Sequence, residues 1–332
     1  MSPTNKRCRI LNDNNDTALM LSINMDNHEI VEHLLNDGGN ANLEINGMTI
    51  LNYTVKNNHH ESCELLLKYG ANVNKNDPLH LALQEKNRTI IKILLKYKAI
   101  VNQKDEYGRA ALTHSVISGN YKNFKIILNY DGNINQRDRS GESALFFAVK
   151  NKKYKMIEML IRKGTNVNFQ NYDWKRSVLM QAARANQIEI VEYLLKNGTD
   201  VKLKDKQGLT ALMLSSNLNI IELLLKQRLP KSDINNMLTY IFQNINSYNE
   251  PYEIIELLIK YGANVSLCFR YLYRNSQISH IKLKIIRLIA CIMIQKTFRG
   301  MKARHILRNH RYYKYGGTGY LEAKNEFESI VF

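Results

Sequence analysis

Apolar residues at helical spacing recur down the chain, each run closing on a polar turn. The closing strings read VEHLLNDGGNAN (31–42), CELLLKYGANVN (63–74), IKILLKYKAIVN (91–102) and FKIILNYDGNIN (124–135), then IEMLIRKGTNVN (157–168), VEYLLKNGTDVK (191–202), IELLLKQRLPKS (221–232) and IELLIKYGANVS (255–266). The second of the paired apolar residues falls at Leu35, Leu67, Leu95, Leu128, Ile161, Leu195, Leu225 and Ile259, giving successive spacings of 32, 28, 33, 33, 34, 30 and 34. Each string predicts the end of a helix followed by a turn, and apolar positions such as Ile190, Val191, Leu194 and Leu195 predict a face turned to a neighbouring unit. One such unit cannot bury its apolar face alone, and stacking copies does so.

Upstream of the helix ends lies a second recurring pattern: DTALMLS (16–22), GMTILNY (47–53), DPLHLAL (77–83), GRAALTHS (108–115), GESALFFA (141–148), KRSVLMQAA (175–183) and GLTALML (208–214). These segments resemble the ankyrin signature G-x-T-P-L-H-x-A, and the resemblance runs over roughly residues 14–266. It implies an all-α chain: an ankyrin-repeat solenoid of about eight helix-turn-helix repeats joined by hairpin fingers, with a C-terminal basic helix. The expected division is an N-terminal tail over 1–13, repeats over 14–266, a C-terminal capping and basic helical region over 267–312, and a flexible tail over 313–332.

Local chemistry fits this frame. Thr49, Ser143, Ser177 and Thr210 stand where a hydroxyl can cap the first helix of a repeat. Gly70, Gly132, Gly164, Gly198 and Gly262 stand just past the second helix, where a left-handed residue is common. Departures are also legible. The 28-residue interval predicts a trimmed finger running from Asn76-Asp77 into Pro78-Leu79. Lys98 replaces the glycine of repeat three, Gln227-Arg228 reads as the replacement of Gly-Ala in repeat seven, and the stack is expected to be least regular over 215–250.

Composition alters the picture mainly through charge. The chain has 332 residues, 44% hydrophobic and 23% charged, within the range of a soluble globular protein. Forty asparagines mark an unusual composition, expected of an AT-rich genome and carrying no functional weight at this stage. Net charge is +17, yet no acidic residue falls between Glu256 and Glu322, a stretch holding 13 Lys and Arg. A nearly balanced body with a basic segment points to an anionic partner for that segment. Four scattered cysteines, Cys8, Cys63, Cys268 and Cys291, make neither a zinc ribbon nor a disulfide framework and fit a reducing compartment. The first eleven residues lack an apolar stretch, and the run Ile285–Ile294 is too short to cross a bilayer. An intracellular, cytoplasmic, monomeric protein is expected.

Catalytic chemistry finds little footing. No P-loop, G-x-G-x-x-G or HExxH occurs, and no Ser-His-Asp set stands out, so no enzyme activity, cofactor or metal is expected. Gly316-Gly317-Thr318-Gly319 lacks the Lys-Ser/Thr of a phosphate loop and reads as a linker. His80 and His114 sit at the turn histidine of the repeat, where hydrogen bonding is the expected role, and His59-His60 reads as solvent-facing.

Two places carry binding chemistry. The first is the finger tips, with Glu106, Tyr107, Arg137, Arg139, Tyr172, Trp174, Lys204 and Lys206, where exposed Trp and Tyr are typical interface anchors; packing against the next finger is the alternative. The second is CIMIQKTFRGMKARHIL (291–307). Its Ile294, Gln295, Arg299, Gly300, Arg304 and Leu307 match every defining position of the IQ motif, I-Q-xxx-R-G-xxx-R-xx-L. The resemblance implies an amphipathic helix held by calmodulin or a calmodulin-like protein, with Ile294 in an apolar groove, Gln295 bonded to groove backbone, and Arg299 and Arg304 facing acids. Helical spacing independently makes this a basic amphipathic segment, a usual calmodulin target. A plain capping helix, or binding of nucleic acid or an anionic membrane, remain the other readings. The whole pattern is similar to the ankyrin families of giant DNA viruses of amoebae, which would make the calmodulin a host protein.

Overall fold

The computed structural model describes residues 18–130, 132–245, 248 and 251–267. Between Gly208 and Leu209 the chain divides into two compact units. In the first unit, six helix pairs follow one another. They are α1 (Ala18–Asn24) with α2 (His28–Asn36), α3 (Ile50–Lys56) with α4 (His60–Lys68), and α5 (Pro78–Gln84) with α6 (Arg88–Lys96). Then come α7 (Ala111–Ile117) with α8 (Tyr121–Asn129), α9 (Ala144–Lys150) with α10 (Tyr154–Arg162), and α11 (Val178–Arg184) with α12 (Ile188–Lys196). First helices stack in the series α3, α5, α7, α9 and α11, and second helices in the series α2, α4, α6, α8 and α10. The second unit holds α13 (Ala211–Leu214) with α14 (Leu218–Leu225) and α15 (Lys231–Gln243) with α16 (Pro251–Lys260).

The core lies between successive pairs. Ile90, Ile91 and Leu94 of α6, Phe124 and Ile127 of α8, and Ile190, Val191 and Leu194 of α12 are completely buried. Fully burying each aliphatic side chain contributes about 1.5–3 kcal/mol. Leu195 is only half-buried, so the apolar face of α12 is one residue narrower than its spacing implies.

The expected caps form at three of four positions. The hydroxyls of Thr49, Ser143 and Ser177 accept from the backbone N–H of Asn52, Phe146 and Met180. Thr210 has the extended cap backbone but makes no side-chain cap bond, and α13 behind it is only four residues long. The turn glycines divide the same way. Gly70, Gly164, Gly198 and Gly262 have φ of +84°, +82°, +77° and +99°. Gly132 does not, because α8 ends in extended backbone at Tyr130. Lys98 and Arg228 adopt the left-handed conformation without being glycine, at φ 64° and 55°. Arg228, with Leu229 after it, therefore occupies the Gly-Ala place; the assignment of Gln227-Arg228 to it is one residue early.

The trimmed finger is real. Nine residues (69–77) separate α4 from α5, against fourteen (97–110) between α6 and α7 and fifteen (163–177) between α10 and α11. With no room for a hairpin, Asn76 and Asp77 make two consecutive left-handed steps into Pro78, which opens α5 at a position suited to proline. The first finger instead forms a two-stranded antiparallel ladder, β1 (Glu44–Ile45) with β2 (Met48–Thr49), the only named strands among the described residues. Within 215–250, where the least regular stacking is expected, α15 is a regular thirteen-residue helix; the short element, the four-residue α13, lies just ahead of that interval.

Candidate protein-binding site

Four fingers of the first unit are built alike. The Oδ1 atom of Asp105 accepts from the backbone N–H of Tyr107 and Arg109 at 2.9 and 2.7 Å. That of Asp138 accepts from Ser140 and Glu142 at 3.0 and 2.8 Å. Asn171 Oδ1 accepts from Arg176 N–H at 2.8 Å, and Asp205 Oδ1 from Gln207 N–H at 2.9 Å. Each side chain thus closes its own tip with hydrogen bonds that the short turn cannot supply by backbone alone.

The tips are also bonded to one another. Arg139 N–H donates to the carbonyl of Tyr107 at 3.0 Å, Tyr172 N–H to Ser140 at 2.7 Å, and Lys206 N–H to Trp174 at 2.9 Å. This close approach is why glycine stands at two of the tips. A Cβ on Gly108 would meet Arg139 N at 2.9 Å, and one on Gly141 would meet Tyr172 N at 2.8 Å, both at positive φ.

Guanidinium groups sit between the tips. Arg109 lies 4.7 Å from the centre of the Tyr107 ring, Arg137 lies 4.3 Å from that of Tyr172, and Arg176 lies 5.1 Å from that of Trp174. Arg137 also donates from Nη2 to the Gln170 carbonyl at 2.5 Å and from Nε to that of Gly141 at 3.0 Å. Arg109 and Arg176 approach the buried carboxylates of Asp138 and Asp205 at 3.8 and 3.9 Å. Yet Tyr107, Tyr172 and Trp174 remain 54%, 55% and 48% exposed. Each ring thus packs on an arginine, of its own finger for Tyr107 and Trp174 and of the preceding finger for Tyr172, and still presents itself to solvent. The structure brings together Tyr107 with Arg139, Arg137 with Tyr172, and Trp174 with Lys206.

Histidines serve the fold. His114 Nε2 lies 2.8 Å from Asp105 Oδ2, tying α7 to its finger. Burial alone would raise the Asp105 carboxyl, but hydrogen bonds from Arg109 N–H and His114 hold it below the usual range. The rings of His80 and His114 meet edge to face with centres 4.7 Å apart. His59 is not solvent-facing: its side chain is 17% exposed and bonds Asp26 at 2.9 Å, whereas His60 is half exposed beside Glu61. Burial pushes the Cys63 thiol up to about 12, so it is no nucleophile at neutral pH. Among the described residues no group of three His, Cys, Asp or Glu side chains is placed to hold a metal ion, and no helix is long and apolar enough to cross a membrane. A cavity of about 210 Å³, lined by Met20, Ile45, Met48, Thr49 and Tyr53 among others, is smaller than usual small-molecule sites.

One structural device was not read from the sequence. Asn42, Asn74, Asn102, Asn135 and Asn168 form a ladder in which each Oδ1 accepts from the backbone of the next repeat. The donors are Asn72, Ile100, Asn133, Asn166 and Asp200, at 2.7, 2.8, 2.7, 2.7 and 2.8 Å. In the second unit Asn235 accepts from Asn264 at 2.7 Å. The signal was present in the repeated GNAN, ANVN, AIVN, GNIN and TNVN endings, hidden by an abundance credited wholly to composition. The IQ-motif residues Ile294, Gln295, Arg299, Gly300, Arg304 and Leu307 lie outside the described residues.

Stacked helix pairs with hairpin fingers define a repeat protein of the ankyrin class. The family model for ankyrin repeats (3 copies) matches residues 3–77, 74–138, 145–237 and 179–268. The chain belongs to the ankyrin-repeat family. It is 39% identical over 119 residues to the ankyrin repeat protein FPV031 of fowlpox virus, covering 33% of this chain and 35% of that one. It is 36% identical over 96 residues to human ankyrin repeat and SOCS box protein 6, covering 26% of this chain and 23% of that one. The matches thus span about a third or less of these curated relatives. Among solved structures, the ankyrin repeat domain of Bcl-3, a member of the IkappaB family, aligns at TM-score 0.59 and 26% identity over 64% of this chain and 98% of its own. The human ASB11 ankyrin domain aligns at TM-score 0.53 and 22% identity, covering 65% of this chain and 99% of its own, a likeness of fold. Ankyrin repeats are protein-interaction scaffolds, and the family is typically non-enzymatic.

Proposed function

We propose that this chain is a non-enzymatic adaptor that holds one protein on its fingers and recruits calmodulin, or a calmodulin-like protein, through residues 291–307. The observation that carries the first half is the row of half-exposed Tyr107, Tyr172 and Trp174 fixed between bonded tips. Rigid aromatics lose little freedom on binding, which suits them to anchor a partner. The second half rests on the complete IQ pattern of Ile294, Gln295, Arg299, Gly300, Arg304 and Leu307. Similarity to fowlpox ankyrin proteins, together with the Asn- and Lys-rich composition, supports a viral source, in which case both partners belong to the host cytoplasm.

Calorimetric titration of the full chain with calmodulin, with and without calcium, tests the second half. Ile294→Asp is expected to weaken binding about tenfold or more, because losing the burial of one isoleucine costs at least the ~1.4 kcal/mol of one decade. Gln295→Ala should also weaken it, whereas a polyanion-binding helix would ignore Gln295 and respond equally to every lost cation. Equal losses for Lys296→Ala and Arg299→Ala, with Gln295→Ala silent, refute the IQ reading in favour of nucleic acid or membrane. For the fingers, capture of cellular proteins by the full chain is compared with capture by Tyr107→Ala/Tyr172→Ala/Trp174→Ala; unchanged capture removes the fingers from the function.

A further inference from the structure

The charges that the bonded fingers leave over specify the partner further. Lys104, Arg139, Lys175, Lys204 and Lys206 are all exposed, and none forms an ion pair with an acidic side chain among the described residues. On the second helices of the same unit some cations are paired, Lys68 with Glu32 at 3.0 Å and Lys96 with Glu64 at 2.6 Å, while Lys92, Lys122 and Lys125 are exposed and form no ion pair among the described residues. The finger cations are free because the nearby acids Asp138 and Asp205 are buried under Arg109 and Arg176. Only Glu106 and Asp173 remain as exposed carboxylates on these tips. Cations thus outnumber acids on the tips, and interleaved with three half-exposed rings they make a positive aromatic ribbon.

We infer that this ribbon, from the finger at 105–109 to that at 205–208, receives an extended acidic segment of a protein partner, with aromatic side chains lodged beside Tyr107, Tyr172 and Trp174 and carboxylates at Arg139, Lys204 and Lys206. This rests on the reading of the fingers as a protein-binding face. Two observations favour a peptide over a nucleic acid. Glu106 and Asp173 stand at the tips themselves, where a strand of evenly spaced phosphates would meet them and a peptide need place no acid. One face of each ring is already occupied by Arg109, Arg137 or Arg176, which leaves less ring for bases to stack upon. Opposite charge across the contact raises association rate and selects the partner, while the rings supply burial.

Trp174 is the single tryptophan of the chain, so its fluorescence reports on this ribbon alone. At low salt, iodide is expected to quench the full chain at least about twofold more effectively than caesium, since a positive field concentrates anions. Arg139→Glu/Lys204→Glu/Lys206→Glu should abolish that preference, and Lys92→Glu/Lys122→Glu/Lys125→Glu, at exposed positions of α6 and α8 and with the same change in net charge, should preserve it.

A Glu- and Phe-rich peptide of about twelve residues should shift the Trp174 emission and bind the finger variant about tenfold more weakly. The second-helix variant should lose less than about threefold. Equal losses in both variants, or no iodide preference, overturn the inference. So does a thymidine oligonucleotide or a phosphatidylserine vesicle shifting Trp174 as strongly as the peptide. If the finger variant still captures its cellular proteins while Tyr107→Ala/Tyr172→Ala/Trp174→Ala does not, the acidic partner is wrong and the adaptor reading stands. If neither variant changes capture, both fail. Matching thermal unfolding curves establish that each variant is folded.

Discussion

His80 is 5% exposed, and the groups around it are the ring of His114, the carboxylate of Asp77 at 3.8 Å and that of Asp105 beyond His114. Burial, reinforced by the neighbouring His114 ring and only partly offset by the two carboxylates, holds His80 below the usual histidine range. In the unfolded chain a histidine titrates near 6.5. As pH falls below that value the unfolded state takes up a proton that folded His80 refuses, so stability is lost on acidification and is regained as pH rises through the window. The expected outcome is a denaturation midpoint that drops between about pH 7.5 and 5.5, on either side of that value, and drops less in His80→Gln. An equal drop in the variant would place the acid sensitivity elsewhere. The arginines of the fingers, Arg109, Arg137 and Arg176, offset partial burial with aromatic rings, carbonyls or carboxylates.

Between element and sequence, the left-handed turn after each second helix shows what could be read and what could not. Gly70, Gly164, Gly198 and Gly262 announced their conformation by type, because glycine alone enters that region at no steric cost. Lys98 and Arg228 adopt it against their type, since the stack fixes the turn whichever residue occupies it. Lys98→Gly is therefore expected to stabilise the fold by about 0.5–1 kcal/mol, the left-handed penalty of ~1–2 kcal/mol less the extra entropy that glycine loses. Chemical denaturation measures this, and a destabilised variant would mean that the Lys98 side chain contributes contacts of its own. Gly132 fails in the other direction, because α8 has already ended in extended backbone at Tyr130. The tip residues were legible as exposed aromatics and cations, but their pairing was not. Tyr107 and Arg139, or Trp174 and Lys206, are 32 residues apart, and only the register of neighbouring fingers joins them. The asparagine ladder escaped for a related reason: each rung links repeats, and forty asparagines in the chain concealed the few whose spacing mattered.

At the scale of the molecule, a stack of repeats is held by nearest-neighbour interfaces, so the length of each helix sets how firmly its repeat is coupled. In the first unit, first helices are seven residues long and second helices nine, all the way from α3 to α12. The ladder from Asn42 to Asn168 adds a bond at each step of that unit. In the second unit α13 offers only four residues, of which Ala211, Leu212 and Met213 are buried, and its Thr210 cap bond is missing. A cap of this kind contributes about 1 kcal/mol, and a single helical turn without it sits close to the cost of nucleation. Opening is therefore expected to begin at α13, although the regular α15 beyond it should remain protected longer than the irregular sequence of 215–250 implies. Hydrogen exchange of the full chain should show backbone amides of 211–217 exchanging at least about tenfold faster than those of α7 to α12, a difference of ~1.4 kcal/mol in local opening. The substitution Thr210→Ala should leave that contrast nearly unchanged, because the hydroxyl makes no cap bond to lose. Uniform protection from 111 to 225, or a large further loss of protection in the substituted chain, would refute this account of where the repeats come apart.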